Sequence, residues 1–261
     1  MNENENENKS KGKRSVVTIV AAVLCVICAV VLVVALSSRA QHAKPLDKDP
    51  NGDIAAQEQQ GKTVDVPVDF AAWQARNPDV YAWIEYPGTN VDYPILQREG
   101  DDAYYLRRDI DGNEAVAGSL YTERTYNTKT FDDPVTVIYG HNMADRTMFG
   151  GLQSRMEAAD LTGTEEYFYI YLPERVLKYR VIGGTPSDDA HILYYHDFTD
   201  ASVFNQYFGQ LYGQSNEHVN LPSILRPGTE DKVVILATCM NGEAYYRYLI
   251  LGVLVDDSAA S

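Results

Sequence analysis

Residues 233–255 read VVILATCMNGEAYYRYLILGVLV. Two apolar runs flank a short polar loop, the pattern of two strands joined end to end. Cys239 closes the first run, and Arg247 lies in the second, eight positions later. Strand ends are rigid, so a thiol there is held in place while it stays open on the loop side. A cysteine nucleophile needs thiolate character or an adjacent base, and an Arg or a protonated His nearby favours the thiolate. Arg247 sits among nearly all-apolar neighbours, where a guanidinium needs a partner. Across a tight turn it returns to the cysteine's end, where it can also donate to the oxyanion formed when a carbonyl is attacked.

The same pattern recurs upstream. Residues 135–143 read VTVIYGHNM, a strand that opens into a loop after a glycine expected to permit a tight turn. Adjacent strand ends would bring His141 to Cys239 despite their separation in sequence. Of the other histidines, His42 lies in a polar stretch near the N-terminus, and His191, His196 and His218 read as solvated. Glu243, in the loop after the cysteine, reads as a solvated carboxylate. One Cys and scattered His offer no zinc spacing, and no glycine-rich phosphate loop is present, so no metal or cofactor is expected.

The rest of the folded part is strand-rich. Trp83–Tyr86 and Val91–Leu96 alternate around Pro87-Gly88-Thr89-Asn90, a hairpin signal. Further strands are expected at Gly118–Thr122, Val135–Tyr139, Tyr167–Leu172, Leu177–Ile182, Lys232–Thr238 and Tyr246–Val255. Helices are expected at Val68–Arg76, stopped by Asn77-Pro78, at Met148–Met156 and at Ala201–Leu211, capped by Thr199-Asp200. About eight strands without strict β-α-β alternation suggest a mainly β fold, a barrel with helical additions.

The N-terminal quarter is different. Val16–Leu36 holds 21 residues with no charge. As a helix it spans about 31 Å, enough to cross the hydrocarbon core. The basic cluster Lys9–Arg14 before it puts the N-terminus inside, and the run exceeds the h-region of a cleaved signal. The expected organisation is a disordered cytoplasmic tail (1–15), a transmembrane anchor (16–36), a flexible stalk (37–64), a catalytic domain (65–257) and a tail (258–261). That puts the domain outside the cell, on a single-pass membrane protein. Of three cysteines, Cys25 and Cys28 lie in the apolar run, so Cys239 is alone outside it, with no disulfide to join. The net charge is −15; residues 1–36 sum to +1 and the remainder to −16. So acidic a domain is no partner for nucleic acid.

These residues resemble the sortases, cysteine transpeptidases of Gram-positive cell envelopes. The family's cysteine follows a strand ending in Thr, as Ile235-Leu236-Ala237-Thr238-Cys239 does here, with Arg247 on the next strand. Its histidine follows a strand as in Gly140-His141-Asn142-Met143. Class B is resembled in particular, through Asn77–Val80 to Trp83-Ile84, Gly88–Gln97, Tyr104–Leu106, Gly118–Tyr121, Met148–Leu152 and the helical insert Asp197–Ser215. Ala237 departs from the Ser often found there. The resemblance implies an eight-stranded sortase barrel with an N-terminal helix and a helix in the loop before the cysteine strand. It implies catalysis by His141, Cys239 and Arg247, with Thr238 helping to shape the substrate site. The implied partners are surface proteins bearing a C-terminal sorting motif, cleaved after Thr, and the amine of a peptidoglycan precursor. Two alternatives remain at this level: an anchored cysteine endopeptidase that hydrolyses its thioester, and a non-catalytic envelope-binding domain, which has no reason to expose Cys239.

Overall fold

The computed structural model describes residues 64–259. The head, the apolar run 16–36 and nearly all of the stalk lie outside the described residues, and the expected membrane anchor with them. Among the described residues no helix is long and apolar enough to cross a membrane.

Eight strands close into a barrel: β1 (Val80–Tyr86), β2 (Val91–Leu96), β3 (Leu120–Tyr121), β4 (Val135–Tyr139), β5 (Tyr167–Leu172), β6 (Arg175–Asp188), β7 (Val233–Met240) and β8 (Glu243–Ala259). Their order around the barrel is β1-β2-β3-β4-β7-β8-β6-β5. The helices are α1 (Phe70–Arg76), α2 (Leu152–Ala158), α3 (Ile192–Tyr195) and α4 (Ala201–Tyr212). The expected barrel, its N-terminal helix and the helix before the cysteine strand are all present. β4 and β7 pair in parallel, which demands a long connection, and residues 140–232 supply it, carrying β5, β6 and the last three helices.

The neighbouring strands β4 and β7 and the middle of β8 (248–252) are buried on both faces. Inward, Ile138, Val234, Leu236, Tyr248 and Ile250 join the barrel interior. Outward, Val137, Val233, Ile235, Ala237, Leu249 and Leu251 pack with Phe204, Tyr207, Phe208 and Leu211 of α4. A strand covered on both sides reads as a continuous apolar run, which is why residues 233–238 show no alternation. α4 begins at Asp200, whose side chain accepts from the Ser202 backbone N–H at 2.7 Å. Each of its large apolar side chains contributes about 1.5–3 kcal/mol through burial.

β6 runs to Asp188, past the Ile182 end expected from the pattern. The pattern breaks at Gly183-Gly184, where the pairing register shifts between Val181 and Gly183 and Gly183 takes φ +150°. A bulge at glycine lets the strand continue, and only cross-strand pairing reveals that. The four-residue α3 was not expected at all.

Candidate active site

β4 and β7 are aligned so that Val135 faces Val233 and Tyr139 faces Ala237, a constant offset of 98 positions. His141 and Cys239 are separated by the same 98 positions. The histidine therefore leaves β4 at the level where β7 carries the cysteine. On the other side of β7, Cys239 is the direct cross-strand partner of Arg247. Side chains alternate along a strand, so Arg247 shares the outward face of Leu249 and Leu251, and Cys239 that of Ile235 and Ala237. Val137 and Tyr139 of β4 lie on that face, and His141 follows two residues after Tyr139 in the loop. The three residues that sequence reading singled out thus lie at the ends of three neighbouring strands, Cys239 and Arg247 on one face.

The cysteine is exposed, with its thiol free. β7 stays buried up to Thr238 and opens at Cys239. The turn that follows is Asn241-Gly242, with Gly242 at φ +80°, a left-handed conformation that suits glycine. Beyond it the register jumps from Cys239–Arg247 to Met240–Glu243, so β8 bulges outward and exposes Tyr245 (76%) and Tyr246 (46%).

The histidine loop is tied to this turn. Asn142 Nδ2 donates to the Cys239 carbonyl and to Asn241 Oδ1, each at 2.8 Å. From the other side Gln153 Oε1 accepts the Asn241 backbone N–H at 2.9 Å. The ring of His141 bonds the Leu106 carbonyl through Nε2 at 2.7 Å, so that nitrogen is the donor. Gly140 is not in a left-handed turn, contrary to expectation. Its role is close approach: a Cβ there would meet the Leu120 side chain at 2.4 Å and Phe149 at 2.7 Å.

Arg247 makes one hydrogen bond, from Nη1 to the Tyr246 carbonyl at 3.4 Å, and no ion pair among the described residues. It lies near the buried Tyr121, whose hydroxyl is pushed up by burial and by the Glu123 charge, with Arg247 opposing. Thr238 points inward, 2% exposed, and its hydroxyl has no hydrogen-bond partner. Alternation therefore turns its side chain away from the face that Cys239 opens onto. Glu243 is exposed at the start of β8. Among the described residues no cluster of His, Cys, Asp or Glu could hold a metal ion.

No family model matches the chain. Sortase B of Listeria monocytogenes serovar 1/2a is 30% identical over 186 residues, 70% of this chain and 72% of that protein. The chain belongs to the sortase B family. Sortase B of Staphylococcus aureus is 25% identical over 176 residues, 65% of this chain and 67% of that protein. A mutant form of Clostridium perfringens sortase B has the same fold, with TM-score 0.61 at 20% identity, covering 72% of this chain and 86% of that one.

In this sortase B family chain, three histidines expected to be solvated are only half-exposed, and each has a partner. His191 Nε2 lies 3.0 Å from both carboxylate oxygens of Glu123, and its N–H is aligned on Oε1. His196 bonds the Ile192 carbonyl through Nδ1 at 2.9 Å and stacks against Phe198. His218 Nδ1 meets Glu157 at 2.7 Å. Each partner is either brought from a distant strand or loop or exposed to the ring by a helix turn, so local polarity misled. Asn142, Gln153 and Glu123 were missed as parts of the site's frame for the same reason. Only the Asn after the histidine carried a local signal, its place in the Gly-His-Asn stretch.

Proposed function

We propose that this chain is a membrane-anchored, extracytoplasmic cysteine transpeptidase that attaches proteins to the cell wall. The observation that supports the reading is the placement of His141, Cys239 and Arg247 at the ends of the neighbouring strands β4, β7 and β8, with Cys239 paired directly to Arg247. His141 takes the Cys239 proton, and the thiolate attacks the carbonyl of the Thr in a C-terminal sorting signal and forms a thioester. The signal's C-terminal part leaves as an amine that takes its proton from His141. His141 then accepts a proton from the amine of a peptidoglycan precursor as that amine attacks the thioester, which releases the Cys239 thiolate.

The bond to Leu106 commits Nε2 of His141 as a donor, which leaves Nδ1 for proton transfer. Arg247 holds the substrate and donates to the oxyanion, a role supported by its lack of a carboxylate partner among the described residues. The exposed Tyr194, Tyr195, Tyr245 and Tyr246 give large amphipathic contact surface for a peptide. The apolar run 16–36 anchors the chain with its N-terminus inside, and the stalk holds the domain on the outer side.

The test is mass spectrometry of the purified chain incubated with a library of sorting-signal peptides, with and without an added amine. A thioester on Cys239 and a product joined to the amine are expected. Water-cleaved product alone, in both conditions, points to an endopeptidase. No cleavage of any peptide overturns the reading. Protease added to wall-stripped cells is expected to remove the domain, and protection would reverse the orientation.

A further inference from the structure

The chain between β6 and α3 is a short strap beside the site. Its first residue, Asp188, pairs with Tyr246 on β8, one step beyond the Cys239–Arg247 level. Three residues later the ring of His191 lies 6.4 Å from that of Tyr139 on β4. In the barrel β8 and β7 lie between β6 and β4, so the strap spans three interstrand gaps. Three gaps are about 14 Å and three extended residues reach only about 10 Å, so the His191 side chain makes up the difference and the strap has no slack. Where it lands matters, because α3 and its exposed Tyr194 and Tyr195, each 66% exposed, follow directly.

The landing point is built. His191 Nε2 donates to Glu123, which stands two residues after β3 and is only 11% exposed at its side chain. On the ring's other nitrogen, Nδ1 accepts the Tyr194 backbone N–H at 3.1 Å and so caps α3. Tyr126 packs on the ring at 4.9 Å. Both ring nitrogens are therefore used, one on each side of the junction, and the tautomer is set with the proton on Nε2. Burial pushes the Glu123 carboxyl above the usual carboxylate range even though His191 opposes the shift. A buried carboxylate is a costly way to hold a loop, and its compensation is a charge-assisted bond with fixed direction.

We infer that Glu123 and His191 form a latch that pins the strap and α3 beside Cys239, and that this latch sets the binding of the peptide substrate and not the chemical step. The second half rests on the transpeptidase reading; the first does not. Both residues are positioning residues, since neither reaches the reacting atoms.

The test uses the full chain and three variants: Glu123→Ala, Glu123→Gln and His191→Asn. Hydrogen exchange at the Tyr194–His196 amides reads the latch without any substrate. Glu123→Ala is expected to speed exchange there about tenfold, the scale of one lost charge-assisted hydrogen bond. The peptide that the wild type cleaves best in the library should show KM raised about tenfold by the same variant, with kcat within about twofold. Alkylation of Cys239 by iodoacetamide, which needs no peptide groove, should keep its rate. Glu123→Gln keeps an acceptor and should recover most of both losses. Should Glu123→Ala fail to fold, His191→Asn replaces it: asparagine can still cap α3 but is too short to reach Glu123, so the same KM rise is expected. Unchanged α3 exchange overturns the latch. Faster exchange with unchanged KM, or a loss confined to kcat, overturns its role in peptide binding. If the wild type cleaves no peptide, the transpeptidase reading fails, and the exchange measurement still decides whether the pair holds α3.

Discussion

At the two ends of the β6–β8 pair stand arginines of opposite character. At one end Arg247 faces Cys239 with a single long bond to a neighbouring carbonyl and no carboxylate partner among the described residues. At the other, Arg175 of β6 forks onto Asp257 at 3.0 and 2.7 Å, reaches Asp132 at 3.4 Å and donates to the Thr130 carbonyl. Lys232 closes that network on Asp132 at 2.9 Å. Both arginines sit on neighbouring strands of one barrel. One has its donors used up by the fold, and the other has them available. The difference teaches where to look for function: an arginine on a sheet whose donors the protein leaves unspent is one that something else is meant to fill.

The comparison can be broken in four ways. The largest effect belongs to Cys239→Ala, which should abolish cleavage of a sorting peptide while unfolding free energy stays within about 2 kcal/mol, because an exposed thiol contributes little packing. Substantial residual turnover in a mass-spectrometric assay would sink the thiol mechanism. Next, Arg247→Lys should keep the fold and lose about 10²-fold in kcat/KM, since a point charge does not replace a planar fork of donors. Near wild-type turnover by this variant would reduce Arg247 to a source of positive potential.

The paired end should answer in the opposite currency of measurement. Arg175→Ala is expected to lower unfolding free energy by about 1–2 kcal/mol in urea titration, through a partly buried network of four groups. Turnover per folded molecule should not change; a loss there would erase the division between the two ends. The smallest effect is a pH dependence. The Lys232 bond, helped by Thr130 and Arg175, draws the Asp132 carboxyl down to about 2 against the cost of burial. A depressed carboxylate stabilises the fold above its unfolded pKa, and that stabilisation fades as pH falls toward the folded value. The stability difference between wild type and Asp132→Asn should therefore be flat above about pH 5 and shrink toward pH 2. Because half of the Asp132 side chain is exposed, its size should stay below about 1 kcal/mol. A difference that grows on acidification would contradict the assignment.

Much of this molecule was legible in one dimension. The apolar runs 135–139 and 233–238 are strands in the structure, and the residues flagged just past them, His141 and Cys239, come at the same ends of two strands paired in parallel register. Arg247 was legible because a guanidinium within an apolar run is a contradiction that needs resolving. Local periodicity also sufficed for α1 and α4, whose caps and apolar faces are written within a dozen residues. What sequence alone could not decide was anything that depends on a distant partner. The extension of β6 through Gly183-Gly184 is stabilised by its pairing with β8, the crowding at Gly140 comes from Leu120 and Phe149, and the hydrogen bond of His191 is made to Glu123, 68 positions earlier. Residue type sets what a group can do, and the strand order of the closed barrel sets what it meets.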